Sequence, residues 1–408
     1  MGFAYDVFGN GKTAIRGGVG VFYDRLDGNE VYSMASNPPV TYTPTAYYGQ
    51  LPSLASAGGL LGPTTITQWS GHTRLPQVRN ASFGVQQALG FGTVLDVAYQ
   101  GTFGLNRNVY ENFNAIPIGT DFLPQYIDPT QAGNKPLAAA LERSIYPSIG
   151  TLNEFVFNGK SSYSGLQTQV RKRLQHGLLF GVSHSWSRAM QLLAFDPLVA
   201  NNYSRNYGPQ SIDRRQTLGI NYSYDIPKPG AAMHSKVLTV FTDGWQISGI
   251  TTANTGAPFT PSFSTTNGED ITGSTNEGAR INVVGNPLMG VATNPALPNG
   301  KLAFNPAAFS LPAVGTIGNA GGGAGVLYGP GWINFDASLS RSIPIGSEKR
   351  QLKLRLEAFN VFNHVEFSGV NSSFTFNPTT GANTNASTGQ YTSDRGPRVL
   401  SLELRFQF

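Results

Sequence analysis

The sequence has no cysteine, which excludes thiol catalysis, disulfides and Cys-ligated zinc while leaving the compartment open. Charge is scarce as well: Asp, Glu, Lys and Arg together make 12 % of the chain, about half the share of an ordinary soluble domain. Yet only 40 % of residues are hydrophobic, and no window approaches the roughly 18 consecutive apolar residues of a transmembrane helix. The net charge of +5 is scattered rather than gathered into a basic run, so no nucleic-acid partner is expected. The five histidines (His72, His176, His184, His234, His364) show no His-x-His or His-x-x-x-His pairing, and no metal site is expected. No cofactor is expected, and no catalytic constellation emerges; the chain reads as a non-enzyme. The amino terminus, Met1-Gly-Phe-Ala-Tyr-Asp6, has neither the basic n-region nor the apolar h-region of a secretory signal.

What fills the gap is glycine (49), proline (26), small polar residues and 11 % aromatics. Low charge, modest hydrophobicity and many aromatics suit a sheet with lipid on one side and water on the other. Period-2 alternation recurs throughout. In Leu400-Ser-Leu-Glu-Leu-Arg-Phe-Gln-Phe408, Leu400, Leu402, Leu404, Phe406 and Phe408 fall on one face, and Ser401, Glu403, Arg405 and Gln407 on the other. Upstream, Leu352, Leu354, Leu356 and Ala358 alternate with Lys353, Arg355 and Glu357. The same pattern runs through 335–343 and 218–226, and more weakly through 12–24, 79–89, 93–102, 162–174, 178–190 and 245–255. With a stub at 2–8 this makes about eleven strands, each about nine to thirteen residues long, enough to cross a bilayer at a tilt of about 45°.

The connections alternate in length. Short ones are expected at Gly9–Gly11, Gly90–Gly92, Gln175–Gly177 and Gly346–Arg350, with a medium one at 228–244. Long ones are expected at about 25–77, 103–160, 191–212, 256–333 and 363–397. A meander puts every second connection on the same side, so all the long loops share one end. That is the asymmetry of outer-membrane barrels, with short periplasmic turns and long extracellular loops. The long loops, rich in Gly, Pro, Asn, Ser and Thr as at 318–325 and 378–385, read as mobile or turn-dense segments rather than a second domain. A soluble β-sandwich would distribute its loops over both ends, and the charged or amide-bearing polar members suit a wet lumen. The expected fold is therefore an all-β, antiparallel transmembrane β-barrel.

Tyr23, Trp186, Trp245, Trp332, Phe359 and Phe362 stand near expected strand ends, where interfacial aromatic girdles form. The run Gly17-Gly18-Val-Gly20 is followed by no helical pattern. It reads as strand glycines that permit curvature or close packing, not a phosphate loop. Arg171, Arg173, Asp225, Lys353, Arg355, Glu357, Glu403 and Arg405 are candidates to face the lumen, either as ion-pair ladders or as substrate contacts.

Leu354-Arg-Leu-Glu-Ala-Phe-Asn-Val-Phe-Asn363, followed by Phe367, resembles the late strands of TonB-dependent outer-membrane receptors, as does Phe335-Asp-Ala-Ser-Leu-Ser-Arg-Ser-Ile-Pro344. The terminal strand with Leu400, Leu402, Leu404, Phe406 and Phe408 resembles their barrel-assembly signal. Ala14–Asp24, Ser162–Gln167, Ser183–Arg188 and Gly244–Gly249 are similar to the Oar-like subgroup. The resemblance implies a barrel of about 22 strands, plugged by a separate amino-terminal domain and opened by TonB. On that basis residues 1–408 are expected to be a single partial barrel domain, the carboxyl-terminal part of a receptor. The implied partners are the lipid bilayer, the barrel-assembly machinery, TonB through the plug region, and a small-molecule ligand whose identity is not legible. A passive porin and a surface adhesion or export protein remain as alternatives.

Overall fold

The computed structural model describes residues 1–25, 28–42, 45–49, 52, 60–142, 145–147, 149–192, 203–235, 239, 241–322, 325–345 and 347–408. Eleven strands follow one another across a single sheet in chain order. They are β1 (Gly2–Asp6), β2 (Thr13–Tyr23), β3 (Gln77–Gly90), β4 (Thr93–Asn112), β5 (Leu152–Gln175) and β6 (Leu178–Leu192). Then come β7 (Gln216–Asp225), β8 (Trp245–Asn254), β9 (Trp332–Ile345), β10 (Ser347–Phe359) and β11 (Val399–Gln407). Every neighbouring pair is antiparallel. Short strands at Ile66–Trp69 and Gly208–Pro209 attach beside this path, on β5 and β6.

Directly opposed residues share a face, so the register sorts the side chains. One row runs Leu95, Val170, Val182, Ile220, Thr251, Phe335 across β4 to β9. The row beside it runs Asp96, Gln169, Ser183, Gly219, Thr252, Asn334. The apolar face has no protein over it: Leu402 is 71 % exposed, Leu404 66 % and Trp186 60 %. Large apolar side chains in such a band belong against hydrocarbon, and the opposite face against water.

Tight turns follow from backbone chemistry. His176 (φ 52°) and Gly177 (φ 75°) both lie in the left-handed region between the paired residues Gln175 and Leu178; that two-residue geometry matches the right-handed twist of the flanking strands. Gly17 makes room for a neighbour, since a Cβ there would stand 2.5 Å from the Phe3 ring. The turn expected at Gly346–Arg350 is displaced: Ile345 opposes Ser347 and a bulge separates that pair from Pro344 and Gln351. Residue 346 itself lies outside the described residues.

Of two expectations about the long loops, one is corrected and one narrowed. First, the two ends of 103–160 are strand, over 103–112 and 152–160. β4 and β5 have 20 and 24 residues, about twice what a bilayer crossing needs. Their outer ends are held by burial: Val109, Val156 and Leu192 pack together, and the Trp69 ring lies 5.6 Å from Phe155 and 5.4 Å from Phe157.

Second, the long loops, read as mobile or turn-dense, are turn-dense and packed among the described residues. Ile281, Phe304, Phe309, Leu327, Phe374 and Phe376, from 255–331 and 360–398, make a buried core. Ser262–Thr265 pairs in parallel with Ser373–Phe376 above it. Even 378–385 is ordered by its own side chains: the Asn377 carboxamide oxygen accepts from Thr379 N (2.9 Å) and Thr380 N (3.1 Å). Residues 323–324 of the other glycine-rich run lie outside the described residues.

The sheet is not closed. Among the described residues β1 pairs only with β2, and β11 only with β10.

Candidate functional site

The eight charged candidates all fall on the polar face. Lys353 opposes Ser342 and Arg405, Arg355 opposes Ser340 and Glu403, and Glu357 opposes Ser338 and Ser401. Arg355 and Glu357 are ion-paired at 2.7 Å along β10. Asp225 accepts a 2.8 Å hydrogen bond from the Gln246 side chain, and Arg171 donates to Gln169. Arg173 follows on the same side of β5, two residues on. The five residues of β10 and β11 are thus brought together. Arg171 and Arg173 stand apart from them on β5, with β6 to β9 between. Arg16, Gln86 and Asp96, not singled out in the sequence, join Arg171 and Arg173 around a hollow of about 300 Å³. The signal was present, since each sits at a polar position of its strand's alternation.

The aromatic positions divide. Tyr23, Trp186 and Trp245 lie on the apolar face, opposite Gln77, Leu166 and Arg341. Trp332 and Phe359 lie on the polar face, since Trp332 opposes Asn254, and Phe359 follows the parity of Glu357. Phe362 lies beyond β10, edge-on to Phe335 at 4.9 Å. A girdle at Trp332 and Phe359 is therefore not what the register shows.

Above the strands, the five long loops form one bonded layer. Loop one (24–76) meets loop two (113–151) where Ile66 N donates to Thr151 O (2.8 Å) and Gly150 N to Thr64 O (2.9 Å). Loop two meets loop four (255–331) through Gly119 N to Thr272 O (2.8 Å), Asp121 N to Gly273 O (2.9 Å) and Ser274 Oγ to Ile116 O (2.6 Å). Arg205 of loop three (193–215) donates to Gly318 O (2.8 Å) and Ile317 O (3.1 Å) of loop four. Loop four joins loop five (360–398) through the parallel strand pair and Ala303 N to Gly389 O (2.7 Å).

Where loops three and four meet, Asp213 is buried. Its carboxylate accepts from Ala189 N (2.7 Å) and the Tyr328 hydroxyl (3.0 Å), and Arg215 stands 3.3 Å away. Tyr328 also accepts from Arg215 at 2.8 and 3.0 Å. Burial pushes the Tyr328 hydroxyl above its ordinary range, the Asp213 charge adds to that, and Arg215 opposes it. Beside this cluster lies a crevice of about 290 Å³ on loops three, four and five, with Arg214, Trp332 and Arg395 in its walls. No residue of it was picked from the sequence as a ligand contact, because its walls come from three separate segments.

An antiparallel meander, apolar on one face and polar on the other, with tight turns at one end and long bonded loops at the other, defines an outer-membrane β-barrel wall. The chain belongs to the outer membrane beta barrel domain family, whose match covers residues 1–401. Its place is the outer membrane of a Gram-negative cell. No curated protein matches it significantly. Among solved structures it is similar to the outer membrane transporter YddB from Escherichia coli, at 10 % identity and a TM-score of 0.43, over 98 % of this chain and 40 % of that one. Pseudomonas aeruginosa FpvA, in complex with a heterologous pyoverdine, matches at 11 % identity and 0.42, over 100 % and 32 %. BauA, the ferric preacinetobactin receptor from Acinetobacter baumannii, matches at 10 % and 0.42, over 100 % and 36 %. The chain thus spans less than half the length of these proteins.

Proposed function

We propose that this chain is a single barrel domain forming part of the wall of a TonB-coupled uptake receptor, of the Oar-like type. In it the outer loops capture a small molecule and the polar face lines its route. The observation that carries the reading is the bonded layer of all five long loops at one end of a charged face. A loop layer held by a buried aromatic core and many backbone hydrogen bonds can present fixed side chains to a ligand, which reduces the ordering entropy lost on binding. Arg171, Arg173, Asp225, Lys353, Arg355, Glu357, Glu403 and Arg405 then face the lumen. The ion pair of Arg355 with Glu357 fits a wall-stiffening ladder there better than a substrate contact. Leu400, Leu402, Leu404, Phe406 and Phe408 form the strand that the barrel-assembly machinery reads. The transported ligand belongs to the siderophore, cobalamin, oligosaccharide or similar class.

The test uses the natural gene product in planar bilayers and in solution with the carboxyl-terminal domain of TonB. The expected result is a membrane-inserted protein with no steady open conductance that binds the TonB domain. Large ohmic conductance steps without TonB binding would make it a porin. A protein showing neither property would be left with a surface role for its loops.

A further inference from the structure

We propose that the crevice between loops three, four and five binds a small organic carboxylate, through Arg214 and Arg395 beside Trp332; this rests on the uptake reading. Trp332 opposes Asn254 in the outermost β8–β9 pair, so the crevice opens at the outer end of the polar face. That is where a captured molecule would pass from loops to wall.

Two cations meet here without an acid. Arg395 lies over the Trp332 indole, 4.4 Å from the ring centre, and Arg214 is steadied by donating through Nη1 to Ser211 O (3.2 Å) and Asp213 O (2.8 Å). Neither contact neutralises a guanidinium, and no Asp or Glu is among the residues lining the crevice. The acids close by in the chain have partners of their own, and Asp394, next to Arg395, accepts from Gly396 N (2.8 Å). Asp213 is used by Ala189 N, Tyr328 and Arg215. Glu366 accepts from Ile333 N (2.7 Å) and holds His364 at 2.8 Å.

Arginine forks match carboxylate geometry in two-point hydrogen bonds. Stacking on indole holds a guanidinium in place while leaving its N–H edges free.

The remaining walls choose among anions. Pro258, Phe259, Pro330 and Val370 present carbon, and Ser368 and Ser372 add hydroxyls. A Cβ on Gly256 would collide with the Gly329 carbonyl, so glycine at this point lets two of the wall segments pack backbone to backbone. An organic acid uses both the cations and the carbon; an inorganic oxyanion uses only the first. The volume of about 290 Å³ is at the small end of ligand pockets, which suits a single ring with its carboxylate.

The experiment measures binding to the detergent-solubilised natural gene product, by tryptophan fluorescence and by saturation-transfer NMR. The probes are benzoate, its neutral isostere benzamide, and inorganic phosphate. Saturable benzoate binding is expected, with benzamide at least tenfold weaker and phosphate unable to compete at equal concentration. Arg395→Gln and Arg214→Gln should each weaken benzoate at least tenfold. Both variants should keep the parent's heat-modifiable gel mobility, which reports an intact barrel. Equal affinity for benzamide, equal competition by phosphate, or undiminished binding in both variants would overturn the proposal. Benzoate binding without TonB binding would sink the uptake reading alone; TonB binding without benzoate binding would sink the crevice alone.

Discussion

Asp121 shows how one side chain can tie loop behaviour to pH. It is buried in loop two, and its backbone N–H bonds Gly273 O of loop four. Burial raises its pKa, the neighbouring Glu142 carboxyl opposes that, and the charge of Asp270 across the loop junction adds to it. A carboxyl whose folded pKa is raised holds its proton more firmly folded than unfolded. It therefore contributes stability at low pH that is lost as the pH rises through the raised value. Asp121→Asn removes that titration. Hydrogen exchange at Asp121 N and Gly119 N, corrected for intrinsic rates, should show the junction loosening with rising pH in the parent and less so in the variant. Identical pH profiles would show that this carboxyl does not govern the junction.

At the scale of elements, the strands and the loops are stabilised by different solvents. The strands place Leu404 and its neighbours against lipid, whereas loops four and five bury Phe304 at 1 % exposure among Phe309, Phe374 and Phe259, with ring centres 5.7, 6.2 and 6.2 Å away. Removing such a ring leaves a cavity that costs roughly 3–5 kcal/mol. Phe304→Ala should accordingly open 255–331 and 360–398 to limited proteolysis, with new cleavage sites mapped by mass spectrometry, while the strands stay protected. An unchanged cleavage pattern would mean that this aromatic core does not hold the loops together.

The whole molecule is governed by its two open edges. Ten antiparallel steps from β1 to β11 leave those strands running the same way, so joining them directly requires a parallel contact. In hydrocarbon an unpaired edge costs several kcal/mol for each unsatisfied group, and an all-antiparallel closure takes an odd number of further strands between them. Residues 1–408 expressed alone and refolded in detergent should migrate identically on gels whether boiled or not. A fast-migrating unboiled species would show that these eleven strands close by themselves.

Much of the wall was legible in the sequence because alternation is local. Leu352, Leu354 and Leu356 against Lys353, Arg355 and Glu357 declare two faces wherever their neighbours lie, and with them the strand count and the alternating connection lengths. The same rule applied strictly moves Trp332 and Phe359 off the lipid face, since a girdle residue needs the right parity as well as a place near a strand end. What lay beyond reach depends on segments far apart in the chain. Phe259, Phe304, Phe309, Phe374 and Phe376 have no common period, so sequence rich in glycine and proline around them read as mobile or turn-dense, with no sign of a core. Only the meander brings loops four and five together above β8 to β11 and turns those rings into a core. Arg214 and Arg395 likewise share a crevice only through that folding. Sequence by itself determined the faces of the strands, because side-chain direction follows residue parity. The tertiary structure decided the loop core and the crevice, because burial and charge proximity depend on which loops the folded strands place side by side.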